Sequence, residues 1–67
     1  MRELDIQLGD YSITLYGRVS RIQIIAICRS EAGNRVAIWR YWNDSGKLGA
    51  YGTAATSFVA KRISDKL

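Results

Sequence analysis

The sequence has no histidine, no proline and a single cysteine, and each shortage closes a route to function or stability. Without histidine the chain lacks the side chain best suited to proton transfer near neutral pH, and also the commonest zinc ligand. The lone Cys28 excludes an intrachain disulfide and fits a reducing cytoplasm. It sits within an apolar run and reads as a small core residue rather than a nucleophile. Carboxylates are few and scattered (Glu3, Asp5, Asp10, Glu31, Asp44 and Asp65), so no acid–base pair or metal-ligating cluster emerges. No serine lies in a nucleophile elbow. The expectation is a protein that is not an enzyme and uses no metal or cofactor. No apolar run approaches the roughly 20 residues of a membrane span, and Met1-Arg2-Glu3-Leu4 begins no signal-peptide pattern. A cytoplasmic location without membrane attachment is therefore expected. Repeats, low-complexity tracts and linkers are missing too, which leaves residues 1–67 as one small domain.

At 67 residues the chain is near the lower limit for a single hydrophobic core, burying only about 60% of the surface that its unfolded form exposes. Domains this small compensate with disulfides, metals or self-association. With the first two excluded by composition, a homodimer is expected. The net charge is +4, and the ten basic residues are seven arginines and three lysines. Arginine prevails where phosphate or carboxylate is gripped in two-pronged fashion or where aromatic rings are stacked. An excess of positive charge also draws anionic partners from a distance.

Two apolar segments, residues 22–28 and 35–42, joined by the turn formers Ser30 to Asn34, dominate the pattern. Successive side chains on a strand point to opposite sides. One face of this pair carries Ile22, Ile24, Ala26, Cys28, Val36 and Ile38, which has the composition of a core. The other carries Gln23, Ile25, Ile27, Arg29, Arg35, Ala37, Trp39 and Tyr41, an aromatic and arginine mixture unlike a plain solvated face. Upstream, Glu3 to Leu8 alternates as a half-buried strand, Gly9-Asp10 reads as a hairpin turn, and Tyr11 to Tyr16 alternates again. The apolar parity then switches between residues 15 and 22, so a turn or bulge falls at Gly17 to Ser20. Lys47 to Gly52 reads as either a short fifth strand or a loop. From Thr53, a plausible N-cap, Ala55, Phe58, Val59, Ile63 and Leu67 recur at helical spacing.

The expected fold is α+β, a four-stranded antiparallel meander with one C-terminal helix packed on one face. A single helix roofs one face only. If it covers Leu4, Ile6, Ile13, Leu15, Ile24, Ala26, Val36 and Ile38, the open face presents Tyr16, Arg18, Arg29, Arg35, Trp39 and Tyr41. Bases would stack on the rings while guanidinium groups neutralise phosphates, a recognition surface for DNA or RNA. The same residues also suit a protein interface, since aromatic and arginine side chains dominate binding hot spots. A third reading reverses the faces, with the helix covering the aromatics. Arg40 and Trp42 share the parity of the core face and are expected at a frayed rim. Lys61, Arg62 and Lys66 read as a solvated helix face. The glycines at 46, 49 and 52 do not match a phosphate-loop spacing and read as a connector.

In architecture, a sheet followed by a C-terminal helix resembles the small arm-type DNA-binding domains of phage and transposon integrases, although this chain carries an extra strand. That resemblance implies that a sheet face is the reader. In size and lack of motif the chain also resembles the compact phage proteins that block host defence nucleases. This implies as alternative partner a protein of a host nucleic-acid-processing complex.

Overall fold

The computed structural model describes residues 1–67. It is a five-stranded antiparallel sheet with a short helix packed across one face, two layers as expected but with one strand more. The strands are β1 (Gly9–Leu15), β2 (Arg18–Arg29), β3 (Arg35–Trp42), β4 (Leu48–Ala55) and β5 (Ile63–Lys66), with helix α1 (Thr56–Ala60) between the last two. They lie in the order β4-β3-β2-β1-β5, so β4 and β5 are the two edges. The open question at Lys47 to Gly52 is resolved as the start of β4.

The N-terminal segment is not the strand that its alternation suggested. Glu3–Asp5 forms a single 3₁₀ turn, after which Ile6 alone enters the core while Leu4 is exposed. Side chains take the backbone groups that a neighbouring strand would have used. The Arg35 guanidinium donates to the carbonyls of Glu3 and Ile6 at 3.1 and 3.3 Å, and the Tyr11 hydroxyl accepts the Gln7 N–H at 3.1 Å. Gly9-Asp10 is consequently no turn. These residues open β1, opposite Ile24 and Gln23 of β2.

The parity switch after residue 15 follows from a two-residue hairpin. Leu15 pairs with Arg18 across Tyr16-Gly17, whose φ angles of 52° and 75° are the two positive values a type I′ turn requires. Odd positions of β1 thereby face even positions of β2, and Tyr11, Ile13, Ile22 and Ile24 share one buried face.

A second irregularity decides the rest of the core. In the β2–β3 pairing Ile24 lies opposite Trp39, and the next pair is Ala26 with Ile38, leaving Ile25 as a bulge. The extra residue flips the second half of β2. Ile27 then packs toward the core, whereas Cys28, expected inside, is exposed. On β3 the core residues are Ala37 and Trp39, with Tyr41 packed against them. Val36 and Ile38, expected beneath the helix, sit half-buried on the opposite face. The expectation that Trp39 stands on the open face is corrected: it is 3% exposed. Arg40 and Trp42, expected at a frayed rim, lie within β3 and belong to the open face.

The C-terminal helix is far shorter than its periodicity implied. It runs from Thr56 to Ala60, with Ala55 rather than Thr53 at the N-cap and no side-chain cap. One turn of helix does not sustain itself without tertiary contacts, and the outer edge of β1 offers the following residues a ladder. Ile63 pairs with Ile13 and Lys66 with Tyr11, while the Thr14 N–H donates to the Arg62 carbonyl at 2.9 Å. The Thr14 and Ser64 hydroxyls share a 2.8 Å hydrogen bond across this seam. Thr56, Val59 and Ala60 still seal the core face. Thr56 Oγ1 donates to the Glu3 carboxylate at 2.6 Å and ties the helix to the N-terminal turn.

Candidate nucleic-acid interface

The Tyr16-Gly17 hairpin and the β3–β4 loop lie at the same end of the sheet, and a cleft of about 740 Å³ opens between them. That volume falls within the range of roughly 300–1,000 Å³ typical of ligand sites. One wall comes from the hairpin (Tyr16, Arg18, Val19 and Arg21), the other from the end of β3 and its loop (Tyr41, Trp42, Asn43 and Asp44).

Each side chain is held there by identifiable contacts. Trp42 is pinned on the open face by its Nε1–H, which donates to Asp10 Oδ1 at 2.7 Å, and by the Arg21 guanidinium, 5.3 Å from its ring centroid. Tyr41 reaches the cleft from the core side, with its ring edge-on to Trp39 at 6.4 Å and 82°. The β3–β4 loop is braced by Asn43 Oδ1, which accepts three hydrogen bonds, from the Ser45 N–H, the Ser45 hydroxyl and the Lys47 N–H, at 3.1, 2.7 and 3.0 Å. Tyr16 differs from the others. Its side chain is fully exposed, and its φ of 52° lies in a region that costs a non-glycine residue about 1–2 kcal/mol. A bulky ring held at a strained hairpin tip, in contact with solvent alone, does nothing for the fold. Strain of that kind gathers where function demands it.

The arginines divide by what their guanidinium groups already do. Arg29 donates to the Gly33 carbonyl at 2.9 Å, closing the β2–β3 turn, and Arg35 anchors the N-terminal segment. Arg40 holds the carbonyls of Gly49 and Leu48, both at 3.1 Å, and lies 4.7 Å from the Tyr51 ring centroid on the open face. Arg62 bonds the Phe58 carbonyl and stacks on its ring. Arg18 and Arg21, by contrast, donate to no acceptor within the protein, and both border the cleft.

Of the residues expected to form one surface, Tyr16, Arg18 and Tyr41 are brought together in this cleft. The other three are elsewhere. Trp39 is in the core, Arg35 is bound beneath the N-terminal turn, and Arg29 caps the turn at the far end of the molecule. Sequence reasoning missed Arg21, Trp42 and Asp44. Arg21 and Trp42 could have been paired from the β2–β3 register near the Ile22–Tyr41 pair, but that register depends on the bulge at Ile25. No group of cysteine, aspartate and glutamate side chains converges to hold a metal ion.

The fold and cleft define a small antiparallel sheet domain with an arginine and aromatic end cleft. No family model, curated protein or solved structure matches the chain. No helix is long and apolar enough to cross a membrane.

Proposed function

We propose that the protein is a non-enzymatic nucleic-acid-binding module whose end cleft receives a single-stranded segment of DNA or RNA. Unstacked bases have free faces, and aromatic rings and guanidinium planes are the surfaces that accept them. Tyr16 supplies one platform. The Arg21 guanidinium, backed by the Trp42 ring, supplies a second. Arg18 contacts phosphate, and Tyr41 lines the facing wall of the cleft. Each stacked base contributes about 1–3 kcal/mol. The observation that carries this reading is that Arg18 and Arg21 border the cleft with no hydrogen-bond acceptor in the protein, Arg21 lying against the Trp42 ring, beside a fully exposed Tyr16, whereas Arg29, Arg35, Arg40 and Arg62 serve the protein's own carbonyls.

Fluorescence anisotropy with short labelled single strands tests it. The single phosphate contact through Arg18 gives a slope of about −0.7 in log K against log salt, a loss of about 2.6-fold between 50 and 200 mM. Arg18→Ala should lower the slope by about one phosphate's share, about 0.7, and Tyr16→Ser should weaken binding at every salt concentration. Unmeasurable affinity for both DNA and RNA at 50 mM salt would end the proposal.

The apolar tip formed by Tyr16 and Val19, the latter 66% exposed, favours a second reading, a protein interface. In that case the partner belongs to a host nucleic-acid-processing complex, as for a phage-type inhibitor. A partner retained in stoichiometric amount from a nuclease-treated lysate, and lost with Tyr16→Ser, distinguishes it from the first.

A further inference from the structure

Asp44 is the one carboxylate that lines the cleft, and it is negative where a phosphate chain would be received. Local structure fixes its place. The Gly46 N–H donates to the Asn43 carbonyl at 3.0 Å and the Asn43 N–H to the Lys47 carbonyl at 2.8 Å. With three more donors held by Asn43 Oδ1, Asp44 occupies a central position of a closed turn. Its carboxylate is exposed and takes part in no hydrogen bond or ion pair of the fold, although Arg18 and Arg21 border the same cleft. Asp10, which touches the cleft residue Trp42, differs: its Oδ1 already accepts the indole N–H at 2.7 Å.

An ionised carboxylate accepts hydrogen bonds and donates none. It repels phosphate and faces base carbonyls unfavourably, so in a cleft that takes a single strand it suits a base edge made of donors. Guanine alone carries two adjacent donors on its Watson–Crick edge, N1–H and the N2 amino group, spaced to meet both oxygens of one carboxylate. Adenine and cytosine offer an amino group beside an acceptor nitrogen, and thymine or uracil a single N–H between two carbonyls. We infer that Asp44 selects guanine in the cleft, its two oxygens accepting N1–H and N2–H while the base stacks on the Arg21 and Trp42 platform. Asp44 and Trp42 belong to the same wall, so stacking surface and acceptor come from one short segment. This rests on the nucleic-acid reading of the cleft and deepens it by naming the base.

The test is fluorescence anisotropy of the full chain with labelled thymine strands, or uracil strands in RNA, that carry one central guanine, adenine, cytosine or hypoxanthine. The guanine strand should bind about five- to a hundredfold more tightly than the strand without it. Hypoxanthine, which lacks the N2 amino group, should fall between the two. Asp44→Asn keeps the size of the side chain but replaces one acceptor with a donor. It should bring the guanine strand close to the thymine strand and tighten the latter slightly, because a negative charge leaves the cleft. The thermal melt should not move, since Asp44 bonds nothing in the fold. Affinity for the guanine strand no higher than for the others overturns guanine selection while the nucleic-acid reading stands, and so does a guanine preference that persists in Asp44→Asn. No binding of any strand, as DNA or as RNA, removes that reading and this inference with it.

Discussion

Replacing Gly52 with alanine tests the central feature of the fold, the burial of Trp39. Gly52 lies opposite Trp39 in the β3–β4 pairing, and the indole covers the space where a side chain would stand. A Cβ at this position would sit 2.4 Å from Trp39 Cε2 and Nε1 and 2.7 Å from Cζ2, well inside van der Waals contact. The ring has little room to yield. It is 3% exposed, paired with Ile24 on one side and edge-on to Tyr41 on the other. Overpacking of a filled core costs about 1–3 kcal/mol. Alanine in a strand restores about 0.5–1 kcal/mol relative to glycine, so the net loss spans about 0–2.5 kcal/mol and centres near 1 kcal/mol. For a domain this small, 1 kcal/mol is about 4–8 °C in Tm, which is the size of the fall expected. Thermal denaturation followed by circular dichroism, with urea unfolding to give the free energy, measures it. Combining Gly52→Ala with Trp39→Phe removes the pyrrole atoms that the new methyl strikes, and also the buried indole N–H that has no partner. The two substitutions should therefore couple by at least about 0.5 kcal/mol in a double-mutant cycle. If Gly52→Ala melts at or above the wild-type temperature, Trp39 does not lie against Gly52 and the assignment of the two faces fails.

Tyr16→Asn should separate stability from binding. Asparagine tolerates the left-handed backbone of a type I′ turn, so the variant should gain about 0.5–1 kcal/mol in unfolding free energy. The same variant should lose about 1–3 kcal/mol of affinity for single strands by anisotropy. Arg35→Met keeps the aliphatic stem but leaves the Ile6 carbonyl without its donor and the Glu3 carbonyl with the Ile6 N–H alone. It should cost about 1–2 kcal/mol and loosen residues 1–8, read as faster amide exchange at Ile6 and earlier proteolysis near the N-terminus.

Where the pattern was locally determined, the chain could be read directly. The alternation of Tyr11 to Leu15, where every second side chain is apolar, and the short apolar run of Arg35 to Trp42 between turn formers mark strands, and the glycine at 17 marks a tight reversal. The helical spacing after Thr53 was misleading for the same reason that it was visible. Phe58, Val59 and Ile63 share a face in a helix, yet Val59 reaches the core from one turn of helix and Ile63 from a strand. Either geometry buries them. The free edge of β1 and the hydroxyl pair Thr14–Ser64 favour the strand, and neither is a property of the C-terminal sequence.

The sequence by itself determined a basic, antiparallel sheet domain with a helix on one face, because these depend on composition and on periods of two and 3.6 within single segments. Which face carries Trp39 was decided only in three dimensions, by one residue, Ile25, bulging from β2. Period-two reasoning carries parity along a strand, and an inserted residue reverses it with no local mark, since the run from Ile24 to Ile27 is apolar at every position. Tertiary structure also chose which arginines donate to the protein's own carbonyls. A guanidinium finds a carbonyl only where the fold brings one within reach, which is why Arg29 and Arg35 are hydrogen-bonded and Arg18 and Arg21 are not.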